Sequence, residues 1–113
     1  MISDSFTCPC CGYNGLERPA YSRLSNVWST RFIIPPYELY FGEPSYEVCS
    51  CCGFEFGNDD NPGTSSPVSF EQYLNEWVLS GSEWFDPTKK PDGWHLGVQL
   101  QKAGIRFNKE KLS

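Results

Sequence analysis

The sequence predicts an α+β protein, in which a small antiparallel β module is followed by two C-terminal helices. Three observations lead to this prediction: two matching cysteine clusters, short β-prone runs around them, and a helical repeat of apolar residues further along. At 113 residues, the chain is expected to form a single domain, 1–113. Its β part should span residues 6–57 and its helical part residues 68–104.

All six cysteines fall in two short clusters with one shared pattern. The first is Cys8-Pro9-Cys10-Cys11-Gly12-Tyr13, and the second is Cys49-Ser50-Cys51-Cys52-Gly53-Phe54. Each cluster holds a Cys-x-x-Cys pair that is followed by glycine and an aromatic residue. Glycine reaches left-handed backbone conformations at little cost, so it allows such a loop to curl until both sulfur atoms converge. The repeat therefore predicts two matching loops that share one metal ion.

The outer cysteines of the two loops supply four thiolates, the number that tetrahedral Zn²⁺ takes in a closed structural site. Iron accepts the same sulfur set, and zinc is favoured over iron on general grounds only. Closing the chain between the clusters costs roughly 3 kcal/mol plus a constant, whereas structural zinc contributes about 10 to 16 kcal/mol. Metal binding should therefore be coupled to folding. The predicted ligands of one Zn²⁺ per chain are Cys8, Cys11, Cys49 and Cys52.

Two other chemistries use cysteines at this spacing. A disulfide framework suits a short chain with an even number of cysteines. Residues 1–5 show no export signal, however, and the cytosol keeps thiols reduced. A thioredoxin-like redox site places its Cys-x-x-Cys pair at the start of a helix, and neither cluster opens a helical pattern.

Cys10 and Cys51 remain as the middle cysteine of each loop. We expect their sulfur atoms to point away from a metal held by the outer pair, as thiols that are partly buried or face solvent. The alternative is a thiol redox sensor or thiol enzyme, in which Cys10 or Cys51 forms a disulfide with a ligand cysteine and releases the metal. Exchange of ligands between neighbouring cysteines also stays open.

Short β-prone runs lie on either side of the second cluster and before it. They predict strands of a small antiparallel sheet, which Pro35-Pro36 and Gly42-Glu43-Pro44 interrupt. The acidic stretch 57–63 lacks the spacing of a calcium-binding EF-hand loop, so it predicts an Asx-rich loop. The predicted strands cover residues 27–34, 38–41, 46–48 and 54–56.

A helical period begins after residue 68. Ser69 and Gln72 form a capping box that marks the start of a helix, and Gly81 marks its end. A second helix is predicted over residues 94–102, ending near Gly104. The tryptophans are expected in the core; the alternative is an aromatic contact patch, of which Trp84 and Trp94 would be the exposed pair. The apolar residues that define the first helix are Phe70, Tyr73, Leu74, Trp77 and Val78.

Composition and charge argue against several functions. A net charge of −5 repels phosphate backbones, so we expect no nucleic-acid binding. The basic residues from Lys102 to Lys111 are expected to form a solvated helix end. No apolar run approaches the ~20 residues of a membrane span. The one histidine, His95, is expected at the surface or at a helix start, and no catalytic motif is present, so the protein is expected not to be an enzyme.

The two clusters and their surroundings resemble the bacterial cysteine-rich CPCC family and, more broadly, the zinc-ribbon class. The resemblance rests on Cys8-Pro9-Cys10-Cys11-Gly12-Tyr13, on residues 46–54 and on Asp59-Asp60, and it covers residues ~6–60. The zinc-ribbon class holds its metal between two knuckles on β-hairpins, which implies the four outer cysteines as ligands here. The insertion between the knuckles is longer in this sequence, and the helical region lies outside the resemblance.

These observations predict a non-enzymatic zinc-binding protein of the bacterial cytoplasm that binds another protein. The protein partner is expected because an acidic chain with four tryptophans and six tyrosines carries the residues that dominate interfaces. No membrane partner is expected, and the oligomeric state stays open. The alternatives are the thiol redox sensor or thiol enzyme and, third, a nucleic-acid-binding zinc ribbon.

Overall fold

The computed structural model describes residues 6–24, 33–63 and 65–105. Three α-helices and one short 3₁₀ turn, Pro87–Lys89, lie within these ranges. None of the helices described is long and apolar enough to cross a membrane. The helices are α1 (Glu38–Phe41), α2 (Phe70–Leu79) and α3 (Leu96–Ala103).

The prediction of an antiparallel β module is wrong. Over the described residues there is no sheet, and extended segments meet only at isolated bridges. The segments before and after each cysteine loop pair with each other over too few residues to form a β-ladder. In the first predicted strand, residues 33 and 34 do not form a strand. Its other residues, 27–32, lie outside the described ranges. The bridges join Phe6 with Leu16, Tyr21 with Pro44, and Val48 with Glu55.

The predicted strand at residues 38–41 forms α1 instead. A strand would turn Tyr37, Leu39 and Phe41 to the same side. In the structure Tyr37 is buried and Phe41 packs against the core, whereas Leu39 is 69% exposed. The residues that pack on the core are thus four positions apart, which is about one helical turn, and not at alternate positions. This spacing is the physical reason for the helix.

Helices α2 and α3 lie in the two segments where the sequence predicts helices. At the start of α2, the Ser69 side chain accepts a hydrogen bond from the Gln72 backbone N–H. α3 has the exposed His95 at its N-cap and ends at Gly104, which has a φ of 75°. Both helices bury one face on the core, and the buried residues of α2 are Phe70, Leu74 and Trp77.

The cysteines and the aromatic side chains share one core. Tyr37 stacks on Phe70 at 4.1 Å between ring centroids, which joins the segment before α1 to α2. Trp84 lies in the core, as the leading expectation has it, and the alternative of an exposed Trp84 is wrong: it is 7% exposed and packs edge-on against Tyr13 and Trp94, at 5.4 Å from each ring. Trp94 is partly buried, and Trp28 lies outside the described residues.

A buried carboxylate organises the turns after the second cysteine loop. Asp60 is 1% exposed and accepts hydrogen bonds from the Tyr21 hydroxyl at 2.7 Å, from the Tyr37 N–H at 3.1 Å and from the Gly57 N–H at 2.8 Å. Burial and the nearby Asp60 carboxylate raise the pKa of Tyr21, so its hydroxyl keeps the proton that it donates. The predicted Asx-rich loop is thus anchored inside the core by one of its own carboxylates.

Candidate metal centre

The two cysteine loops have the same backbone conformation. In the first, the Cys8 N–H donates to the Tyr13 carbonyl at 2.6 Å, and the Gly12 N–H donates to the Cys8 carbonyl at 2.9 Å. In the second, the Cys49 N–H donates to the Phe54 carbonyl at 3.0 Å, and the Gly53 N–H donates to the Cys49 carbonyl at 2.9 Å. The sequence repeat is therefore also a structural repeat.

Glycine is needed in each loop because the chain turns back through a left-handed conformation. Gly12 has a φ of 87° and Gly53 a φ of 83°. Gly12 also lies against α3: a Cβ there would come within 2.9 Å of the Ala103 Cβ and 3.0 Å of the Gln99 carbonyl oxygen. This close approach sets the first loop directly on the helical part of the protein.

The two loops bring the four predicted ligands together. The Sγ atoms of Cys8, Cys11, Cys49 and Cys52 all lie within 4.8 Å of one another. The Sγ atoms of Cys8 and Cys52 are 3.9 Å apart, and those of Cys11 and Cys49 are 3.7 Å apart. All four side chains are buried, and none forms a disulfide. These four cysteines could hold a metal ion.

The sulfur spacing fits a tetrahedral metal. With Zn–S bonds of about 2.3 Å, the edge of a regular tetrahedron is about 3.8 Å. The two cross-loop distances match that edge, and they are far longer than the ~2.05 Å of a disulfide bond. Tetrahedral sites with four sulfur ligands suit both zinc and iron. The geometry therefore supports metal binding and does not select the element.

Burial makes four neighbouring thiolates costly without a cation. Burial raises the pKa of the Cys8 thiol to about 11, and it also raises the pKa of the Cys11 and Cys52 thiols. Burial opposes ionisation of Cys49 as well, but hydrogen bonds with Cys11, Cys52 and Cys8 outweigh it and lower the Cys49 pKa. A metal cation would replace the remaining thiol protons, because it binds cysteine as thiolate.

The middle cysteines contact the helical part. The Cys10 thiol lies 3.6 Å from the Phe70 carbonyl, to which it can donate, and the Cys51 sulfur accepts from Gln99 Nε2 at 3.5 Å. Neither belongs to the group of four that could hold a metal. The expectation of partial exposure is wrong, because both are fully buried.

Two helix residues that no sequence spacing indicates hold the loops in place. Gln99 of α3 donates from Nε2 to the Cys11 carbonyl at 3.0 Å as well as to Cys51, so it bridges the two loops. Its Oε1 accepts from Trp94 Nε1 at 2.9 Å. Tyr73 of α2 donates to the Cys52 carbonyl at 3.1 Å. Gln99 and Cys11 are 88 positions apart in the chain, which is why a local pattern cannot reveal the contact.

Comparison with known proteins gives one distant relative. The chain is 27% identical over 125 aligned positions to the uncharacterized protein YoaQ of Bacillus subtilis (strain 168), and the alignment covers 100% of this chain and 91% of that protein. No family model matches the chain, and no solved structure matches it. The relative's name states no activity, so the resemblance to the CPCC family stays an expectation.

Proposed function

We propose that this is a non-enzymatic zinc-binding protein of the bacterial cytoplasm that acts by binding another protein. Cys8, Cys11, Cys49 and Cys52 hold one structural Zn²⁺ per chain in this proposal. The observation that carries it is the cluster of four buried sulfur atoms with cross-loop distances of 3.7 and 3.9 Å.

A structural role follows from the number and placement of the ligands. Four thiolates complete a tetrahedral coordination sphere and leave no position for a water molecule or substrate. Both loops are also braced by side chains of α2 and α3, as the bonds from Tyr73 and Gln99 show. A metal ion bound by the four cysteines would join the two loops to each other, next to α2 and α3.

The burial of the middle cysteines supports this proposal over the redox alternative. Reactive cysteines are partly exposed, so that an oxidant or a second thiol reaches the sulfur. Cys10 and Cys51 are both 0% exposed. The net charge of −5 likewise favours a protein partner over a nucleic acid.

Cobalt substitution tests whether the site is closed. We expect protein stripped of metal and refolded with Co²⁺ to bind one ion per chain with the absorption of a tetrahedral thiolate site. Added imidazole should leave that spectrum unchanged, because no coordination position is open.

Two matched variants complete the cobalt experiment. Cys10→Ser and Cys51→Ser should give the same spectrum as the unsubstituted protein. A spectrum that changes with imidazole would instead show an open coordination position, and a loss of cobalt in the middle-cysteine variants would show a different ligand set.

A further inference from the structure

An exposed apolar surface lies beside the second cysteine loop. Leu39 and Tyr40 on α1 are 69% and 55% exposed, and Tyr46 is 61% exposed. Single apolar side chains at the surface are ordinary, whereas a group of them with a polar rim marks an interaction site. Tyrosine is also among the residues that contribute most to binding at interfaces.

Two contacts bring α1 and Tyr46 to the same loop. The Asn61 side chain donates a hydrogen bond to the Glu38 carboxylate, so α1 touches the loop 55–61. The Tyr46 ring lies over the same loop, because a Cβ on Gly57 would come within 2.8 Å of it. The surface formed by α1, Tyr46 and the loop 55–61 is called the acidic face here.

The acidic face carries negative charge without basic neighbours in sequence. Residues 33–63 contain six carboxylates and no lysine, arginine or histidine. Three of them, Glu38, Glu55 and Asp59, lie on the acidic face and are partly exposed, whereas Asp60 is buried in the core. Within the described part of the chain these carboxylates form no ion pair with lysine or arginine. Glu55 accepts from the Asn58 side chain and Asp59 from the Glu55 N–H, both of which are neutral donors. Arg23, whose guanidinium lies beside Gly42, marks the edge of the face.

We infer that the acidic face binds a basic segment of a partner protein, with apolar side chains set between its lysines or arginines. This inference rests on the proposed function and names the chemical class of the partner. Opposite charges across an interface speed association and select the partner. A second copy of this chain would set like charges against each other at the same face, which costs free energy.

A synthetic peptide provides the probe. We would label a helical peptide with lysines on one side and leucines on the other, and titrate it with metal-loaded full-length protein while following fluorescence anisotropy. A second peptide has the same lysines and serine in place of leucine. The first peptide should bind about tenfold more tightly than the second, because only it fills the apolar part of the face. Added salt should weaken both.

Matched variants locate the binding surface. The double variant Leu39→Ser, Tyr40→Ser should weaken binding of the leucine-containing peptide about tenfold, and Glu38→Gln should weaken it and reduce its salt dependence. The controls are Leu79→Ser and Glu76→Gln, which lie in the last turn of α2 and outside the acidic face. Leu79 is 71% exposed, so it matches Leu39 in type and exposure, and neither control should change binding.

The zinc content of every variant separates this inference from the proposed function. Full zinc without peptide binding, or equal weakening by the Leu79→Ser control, would overturn the acidic face as a binding site. So would a dimer of this chain that dissociates in the Leu39→Ser, Tyr40→Ser variant. Loss of zinc stoichiometry in the unsubstituted protein would overturn the proposed function instead.

Discussion

Replacing Cys8 or Cys52 with serine is expected to remove the metal and unfold the protein. Cys8 and Cys52 face each other across the two loops at 3.9 Å, so either change breaks the link between them. Structural zinc contributes about 10 to 16 kcal/mol, whereas the whole stability of a domain is about 5 to 15 kcal/mol. The loss is therefore of the same size as the whole stability of the domain. Thermal unfolding followed by circular dichroism, with zinc analysis of the same sample, measures both effects.

The middle cysteines give the matched control for this experiment. Cys10→Ser and Cys51→Ser also replace a fully buried thiol by a hydroxyl, but neither sulfur belongs to the group of four that could hold a metal, and the two contact the Phe70 carbonyl and Gln99. Each variant should keep its zinc and lose about 1 to 2 kcal/mol or less. A Cys8→Ser protein that melted like the Cys10→Ser protein would contradict the structural role of the metal.

Asp60→Ala is expected to destabilise the protein by about 3 to 5 kcal/mol, because it leaves several buried donors without an acceptor. The donors are the Tyr21 hydroxyl and the backbone N–H groups of Tyr37 and Gly57. These groups lie on three separate segments, so Asp60 ties the chain before α1 to the turns after the second cysteine loop. Urea unfolding of the metal-loaded protein measures the loss.

The neighbouring Asp59 is the control for Asp60. Asp59 is partly buried, and its carboxylate accepts a hydrogen bond from the Glu55 N–H at 2.8 Å. Asp59→Ala should cost about 1 kcal/mol, and Tyr21→Phe, which removes one of the three donors to Asp60, should fall between the two aspartate variants. Equal destabilisation by Asp59→Ala and Asp60→Ala would show that the buried network does not hold these segments together.

The site was more predictable than the fold because its signal is local. A Cys-x-x-Cys pair followed by glycine fixes a loop within a few residues, and its repetition around Cys8 and Cys49 indicated two loops of the same form. The start of α2 was predictable for the same reason, since Ser69 and the N–H of Gln72 are only one helical turn apart.

The β prediction failed because propensity is a weak guide where tertiary contacts decide. Residues 38–41 contain aromatic residues that favour strands, but burial of Tyr37 with Phe41 selects the helix α1. Trp84 lies outside the predicted helices, in a segment between Gly81 and Pro87 that is typical of a loop. Its contacts with Tyr13 and Trp94 place it in the core.

The polar contacts between residues far apart in the chain could not be predicted from the sequence. Asp60 stands in an acidic turn that is typical of a solvated loop, and its donors Tyr21 and Tyr37 precede it by 39 and 23 positions. In the sequence, Gln99 is likewise an ordinary polar residue of an amphipathic helix. Only the structure shows that it donates hydrogen bonds to Cys11 and Cys51. Such residues are predictable only once the fold is known.

Elemental analysis of protein purified without chelator tests the central claim most directly. The same sample is denatured and its free thiols are counted. We predict one zinc ion per chain together with six free thiols, because the proposed site uses four cysteines as thiolates and none of the six forms a disulfide in the structure. Protein that is folded without metal, or that contains disulfides among these cysteines, would contradict the account.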